Sequence, residues 1–148
     1  MRLKERGETV AIAESSAGGL ISAALVAQPG ASVFFIGGAV VYTLESRRTL
    51  LGIPDEAVKG LRASTEGYAL LAARAVRDRL QTSWALAESG ASGPTGNRYG
   101  DPPGHACIAV SGAAERALTL ATGEADRVEN MLAFAERALR LLAETIGA

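Results

Sequence analysis

The 148-residue chain holds one cysteine, Cys107, and one histidine, His105. A lone cysteine excludes an internal disulfide, and a lone Cys and His exclude a Cys/His zinc cluster. Aromatic residues make up only 5% of the chain. The longest apolar stretches, such as Val33–Tyr42, reach about half of the roughly 20 residues that a membrane-spanning helix needs. The opening segment from Met1 to Gly7 carries charges and lacks the apolar core of a secretory signal. Neither sign of charge dominates: 15 Lys and Arg face 16 Asp and Glu, for a net charge of −1, without long single-sign runs. Composition therefore points to no nucleic acid and no membrane as partner, and the cytoplasm is the expected location. What is abundant is apolar residue, 48% of the chain, enough for a core, and one globular domain over residues 1–148 is expected.

Two periodicities alternate along the chain. Thr9–Ala13 reads as a strand, followed by a tight turn through Glu14-Ser15-Ser16-Ala17-Gly18-Gly19 and a helix from Leu20 to about Ala27. Val33–Thr43 reads as a long strand, with a bulge or a close backbone approach at Gly37-Gly38. A short helix over Leu44–Leu51 and a second from Asp55 precede the longest helix, which opens at Ser64-Thr65-Glu66. Trp84–Ala87, His105–Val110 and Ala117–Ala121 are strands, the last two close enough in sequence for a hairpin, and Asp126–Ile146 closes the chain as a helix. Strands too apolar to be wet on one face imply a three-layer α/β/α sandwich, and the hairpin makes its sheet mixed.

Two segments can carry chemistry. In Glu14-Ser15-Ser16-Ala17-Gly18-Gly19 a serine stands where a strand runs into a helix, with free helix N–H groups ahead of it, which suits an oxyanion. The same residues also suit a plain helix cap, with the glycines permitting close packing. The G-x-S-x-G spacing is absent, and His105 is the only histidine for a triad. The second segment, Ser89–Gly104, is dense in Gly and Pro. Its uncovered N–H groups can hold a phosphate or carboxylate, although it matches neither nucleotide-binding glycine motif and reads equally as a surface turn. Cys107 and His105, two apart on a strand, share a face; a small buried cysteine at the core is the ordinary reading.

Together with Gly38-Ala39-Val40-Val41-Tyr42, these segments resemble the C-terminal domain of the competence/damage-inducible CinA proteins, whose active members hydrolyse the amide of nicotinamide mononucleotide. The family pattern A-E-S-C-T-G-G is matched by Ala13–Gly19, and G-x-V-T-Y-S-N-E-A-K-x-x-x-L-G-V by Gly38–Ile53. The loop pattern [ST]-G-I-A-G-P falls on Ser89-Gly90-Ala91-Ser92-Gly93-Pro94, and G-D-R on Ala125-Asp126-Arg127. The resemblance implies a CinA C-terminal-like fold and a nucleotide or other small carboxamide as partner. It makes Ser15 the nucleophile and Tyr42 its neighbour. The N–H groups of Ala17, Gly18 and Gly19 would face the oxyanion, with Ser89, Gly90, Ala91, Gly93 and Arg127 holding substrate.

The motif lysine, the base of the family reaction, falls on Arg47, and a guanidinium stays charged and cannot take the serine proton. Tyr42, or a water that it orients, is then the expected acceptor, with Arg47 the cation beside it. A lysine returned at position 47 should raise activity. Ser16, Ala17, Asp101 and Met131 stand where the family has cysteine, threonine, lysine and arginine, which leaves Arg47, Arg98 and Arg127 to hold a phosphate. A serine nucleophile requires no metal and no other cofactor. The alternative is a non-catalytic relative that binds a ligand or assembles. A homo-oligomer is compatible with a small α/β domain.

Overall fold

The computed structural model describes residues 2–147. In chain order these are α1 (Arg2–Arg6), β1 (Val10–Glu14), α2 (Leu20–Val26), a 3₁₀ turn (Ala31–Val33) and β2 (Phe35–Val40). There follow α3 (Leu44–Ser46), a π-helical turn (Arg47–Leu51), a second 3₁₀ turn (Asp55–Val58) and α4 (Glu66–Leu80). The chain continues through β3 (Trp84–Ala91), β4 (His105–Ser111), β5 (Arg116–Ala121) and α5 (Arg127–Gly147). The five strands form one sheet in the order β2-β1-β3-β4-β5. β1 is parallel to both β2 and β3, while β4 is antiparallel to β3 and β5, so the sheet is mixed.

Strand alternation sorts the core into two unlike faces. Val10, Ile12, Trp84, Leu86, Ile108 and Val110 point to one side, where they bury Ile21 and Leu25 of α2 and Phe134, Ala138 and Leu141 of α5. The other side is built from Ala11, Ala13, Ala85, Ala87, Cys107 and Ala109. Small side chains there let α4 lie close through its own Ala69, Ala72 and Ala73. This is the expected α/β/α arrangement. The three inner strands are buried, whereas β2 and β5, at the edges, alternate between half-buried and exposed residues and are wetter than the sequence implied.

Several boundaries move. β3 runs on to Ala91 because Ser89, Gly90 and Ala91 pair with Cys107, Ala106 and His105 of β4, so these residues lie in the sheet and not in the loop. β2 is shorter than Val33–Thr43, and its register against β1 slips at Ile36, one residue before Gly37. The backbone approach expected at Gly38 is present: a Cβ there would lie 3.3 Å from the Ile12 carbonyl oxygen. α5, with 21 residues, exceeds the 15 of α4, and the short helix α1, which buries Leu3, had no expectation attached to it. Among the described residues no helix is long and apolar enough to cross a membrane.

Candidate active site

Parallel pairing of β1 with β2 and β3 sets three carboxyl strand ends side by side, with Ala13 opposite Ala39 and Ala87. Open α/β sheets place ligands at such an edge. Here Ser15, Tyr42, Ser89 and Gly90 line one cavity of about 400 Å³, with Tyr68, Asn97, Arg98 and Tyr99 on its far wall. Ser15, Tyr42, Ser89, Gly90 and Arg98, all candidates in the sequence, thus share one space.

Two buried carboxylates organise the turn after β1. Glu14, fully buried, accepts hydrogen bonds from the N–H groups of Gly19 (2.8 Å), Ile21 (3.0 Å) and Ser22 (2.9 Å), and from the Ser22 hydroxyl (2.8 Å). It satisfies the start of α2, whose cap position is Gly19 in a left-handed conformation with no side chain to offer. A serine cap is therefore not what the turn uses. Glu88, at the equivalent place on β3, accepts the N–H groups of Ser15 (3.1 Å) and Ala17 (2.9 Å) and the Ser16 hydroxyl. Burial pushes the Glu88 carboxyl above the usual glutamate range, and the neighbouring Glu14 pushes the same way; the three donors pull it back.

These bonds correct the expected oxyanion donors. The N–H of Ala17 is taken by Glu88, that of Gly18 by the Ser15 carbonyl (3.0 Å) and that of Gly19 by Glu14. From Ser15 to Gly19 only the Ser16 N–H has no acceptor among the described residues. The turn's N–H groups bind carboxylates of its own protein where the sequence suggested the oxyanion of a substrate. Neither glutamate stands out by itself as a site residue in the sequence, yet both lie in one shared pattern. The two parallel inner strands share one run, Ala11-Ile12-Ala13-Glu14-Ser15 and Ala85-Leu86-Ala87-Glu88-Ser89, and a carboxylate following a fully apolar run needs donors waiting for it.

Arg47 does not sit at Tyr42. Its side chain, 4% exposed, pairs with Asp55 and lines a neighbouring cavity with Tyr68. The cation at Tyr42 is Arg127, which donates to the Tyr42 hydroxyl (2.9 Å) and to the Gly93 carbonyl. Arg127 thus ties the N-terminus of α5 to the end of β2 and to the loop. Ser89 accepts the Ser64 N–H (3.1 Å) and so fixes the approach to α4. Ala91 is buried in the strand and does not line the cavity.

Much of the loop after β3 also serves itself. Asn97 accepts the N–H groups of Tyr99 and Asp101, and the Gly104 N–H donates to the Ala91 carbonyl. Gly93 has φ +109°, and a Cβ there would lie 2.5 Å from the Ala125 carbonyl oxygen, so this glycine permits close packing of backbone on backbone. Asn130, buried on α5, holds the Ser92 and Glu124 carbonyls. Asp101, where the family loop has lysine, pairs with Arg62. Met131, where the family has a second arginine, lies against the turn, 2.9 Å from where a Gly18 Cβ would be. Cys107 and His105 do share a face, but both turn to the Ser64 carbonyl, and burial raises the Cys107 thiol.

Residues 1–146 match the CinA C-terminal domain. The chain belongs to that family. A CinA-like protein of Prochlorococcus marinus is 40% identical over 110 residues, 74% of this chain and 26% of its own length. One from Salinibacter ruber is 33% identical over 145 residues, 98% of this chain and 35% of its own. The chain thus spans about a quarter to a third of the curated relatives that it matches. Among solved structures, a CinA superfamily protein from Enterobacter cloacae superposes with a TM-score of 0.90 at 27% identity, covering 98% of this chain and 86% of that one. The competence/damage-inducible protein CihA from Agrobacterium tumefaciens gives 0.90 at 29%, covering 99% and 89%.

Proposed function

We propose that this CinA-family chain is an amidohydrolase acting on the carboxamide of nicotinamide mononucleotide or a related pyridine nucleotide, with Ser15 as nucleophile. The observation that supports this reading is the shared cavity at the strand ends, where Ser15 and Tyr42 face the same space. The Ser15 oxygen bonds to the carboxamide carbon, and the Ser16 N–H, next to the nucleophile, is the donor left for the oxyanion. Tyr42, or a water that it orients, receives the Ser15 proton, with the Arg127 guanidinium facing the charge. The proton passes to the amide nitrogen, the C–N bond breaks and ammonia leaves; water then hydrolyses the Ser15 ester to give the acid.

Ammonia release from nicotinamide mononucleotide, set against other carboxamides, tests the reading. Wild type should release ammonia and Ser15→Ala should lose at least ~10³-fold of the rate, as expected for removal of a nucleophile. No release from any carboxamide, or an unaffected Ser15→Ala, removes it. A ligand-binding module without catalysis is the second reading. It is favoured by the occupied amides of Ala17–Gly19 and by Arg47 locked to Asp55, and inert wild type would select it.

A further inference from the structure

Residues 15–44 carry no Asp, Glu, Lys, Arg or His, in a chain that is 21% charged. Within that span lies β2, one edge of the sheet, with no strand on its outer side. Exposed apolar side chains gather around it. Val26 at the end of α2, Val33 in the 3₁₀ turn, and Ile36 and Val40 on the strand itself are between 42% and 61% exposed. Leu80, at the end of α4, is exposed too and lies 3.6 Å from where a Gly37 Cβ would be. The opposite edge is built differently: none of the exposed large apolar side chains described lies on β5, which opens with Arg116 paired to Glu144.

Open strand edges are ordinarily blunted by charge or proline, and β2 contains neither. Its register slip at Ile36 leaves the remainder regular, with Ile12 opposite Gly38 and Glu14 opposite Val40. The Val41 N–H donates to the Glu14 carbonyl (2.7 Å), so by strand alternation Gly38 and Val40 turn their own N–H and C=O groups outward. Gly38, at an exposed position, has no side chain to hold another strand away.

We propose that β2 is the interface of a two-fold dimer, in which two copies of this chain pair their β2 strands antiparallel about an axis at Gly38 and form one continuous sheet. Such pairing sets glycine against glycine at the axis and brings Val40 alongside the Phe35–Ile36 end of the other β2. A partner rich in charge would bury those groups unpaired against this surface, whereas a second copy brings the same uncharged surface to it. A stable dimer takes about 800 Å² from each copy over ~20–30 residues, roughly a ninth of the 7091 Å² that the chain exposes. Residues 26–44 and the end of α4 present a surface of that order. The strand braced in this way leads into Tyr42 at the Ser15 cavity, and the pairing does not depend on the amidase reading.

Sedimentation equilibrium on the full chain tests it. At about 10 µM, where an interface of this size is populated, the mass should be twice the 15.2 kDa of one copy. Ile36→Lys places a charge at an exposed position on the edge and should weaken association at least ~tenfold, with an unchanged circular dichroism spectrum as its check on folding. Val128→Lys makes the same change at an exposed position on α5 and should leave association as in wild type. Amide hydrogen exchange gives a second readout that needs no variant: exchange across residues 36–41 of wild type should slow as concentration rises, because the outward N–H groups become bonded. A wild type still monomeric at about 100 µM overturns the proposal. So does undiminished association of Ile36→Lys, equal loss in Val128→Lys, or exchange at β2 that does not respond to concentration.

Discussion

Position 47 concentrates the chemistry of this chain. The resemblance makes it the place of a base, and a guanidinium there removes that role at once. The structure adds a condition that the sequence did not carry: Asp55 faces the same side chain and is itself held below the usual carboxylate range, first by Arg48. A lysine placed beside that carboxylate would keep its proton, because an opposite charge at contact favours the charged form. Arg47→Lys alone is therefore a poor test of whether only the base is missing. Arg47→Lys combined with Asp55→Asn frees the amine, and ammonia release from nicotinamide mononucleotide should exceed that of Arg47→Lys by about tenfold, a fraction of the ~10²–10⁴-fold that full general-base assistance supplies. Equal rates in the two variants would mean that Asp55 does not control the group at position 47. Tyr42 makes the same point about reach. Its cation, Arg127, is 85 residues away in the chain and comes from a helix terminus, a partnership that no local spacing announces.

At the level of elements, the strands and helices were legible because their periods differ: β-branched and alanine-rich runs for the inner strands, helical spacing for α4 and α5. The turn that carries Ser15 was legible as a turn. What was not legible was where its hydrogen bonds go, since Glu88 lies 73 residues beyond Ser15 and meets it only through parallel pairing of β1 with β3. Likewise the end of β3 was hidden, because Ser89-Gly90-Ala91 has the composition of a loop and becomes strand only by pairing with β4. The glycines after it read as open amides for a ligand, on which view a valine at Gly93 blocks the ligand and spares the fold. The packing of Gly93 on Ala125 reverses that expectation. Gly93→Val forces a β-branched residue to φ +109° and against a carbonyl, and should cost about 3 kcal/mol or more by adding backbone strain to overpacking. Chemical denaturation would measure it, and an unchanged midpoint would restore the ligand-facing view.

The molecule as a whole carries two carboxylates inside its sheet edge, and they link the global stability to the turn that presents Ser15. Glu14 and Glu88 directly follow the paired Ala13 and Ala87 on adjacent parallel strands, so their separation is fixed by the sheet and neither can turn away to water. For Glu88, burial outweighs its three donors and raises the folded carboxyl above its ordinary value of 4.5. A carboxyl raised on folding contributes stability below that ordinary value, and the contribution is lost as pH climbs through the raised one. Asp55, Asp101 and Glu115 act with the opposite sign: arginines hold them below the usual range, so their contribution is present above it and fades on acidification. Comparing wild type with Glu88→Gln isolates the first effect. A glutamine can accept the N–H groups of Ser15 and Ala17 with its oxygen and donate to Ser16 with its nitrogen, so the turn is kept without the charge. The thermal midpoint of wild type should therefore fall relative to that of Glu88→Gln as pH rises from 4.5 toward neutrality. Parallel midpoints across that range would mean that Glu88 keeps an ordinary affinity for its proton, and the two glutamates would then hold the turn through hydrogen bonds alone.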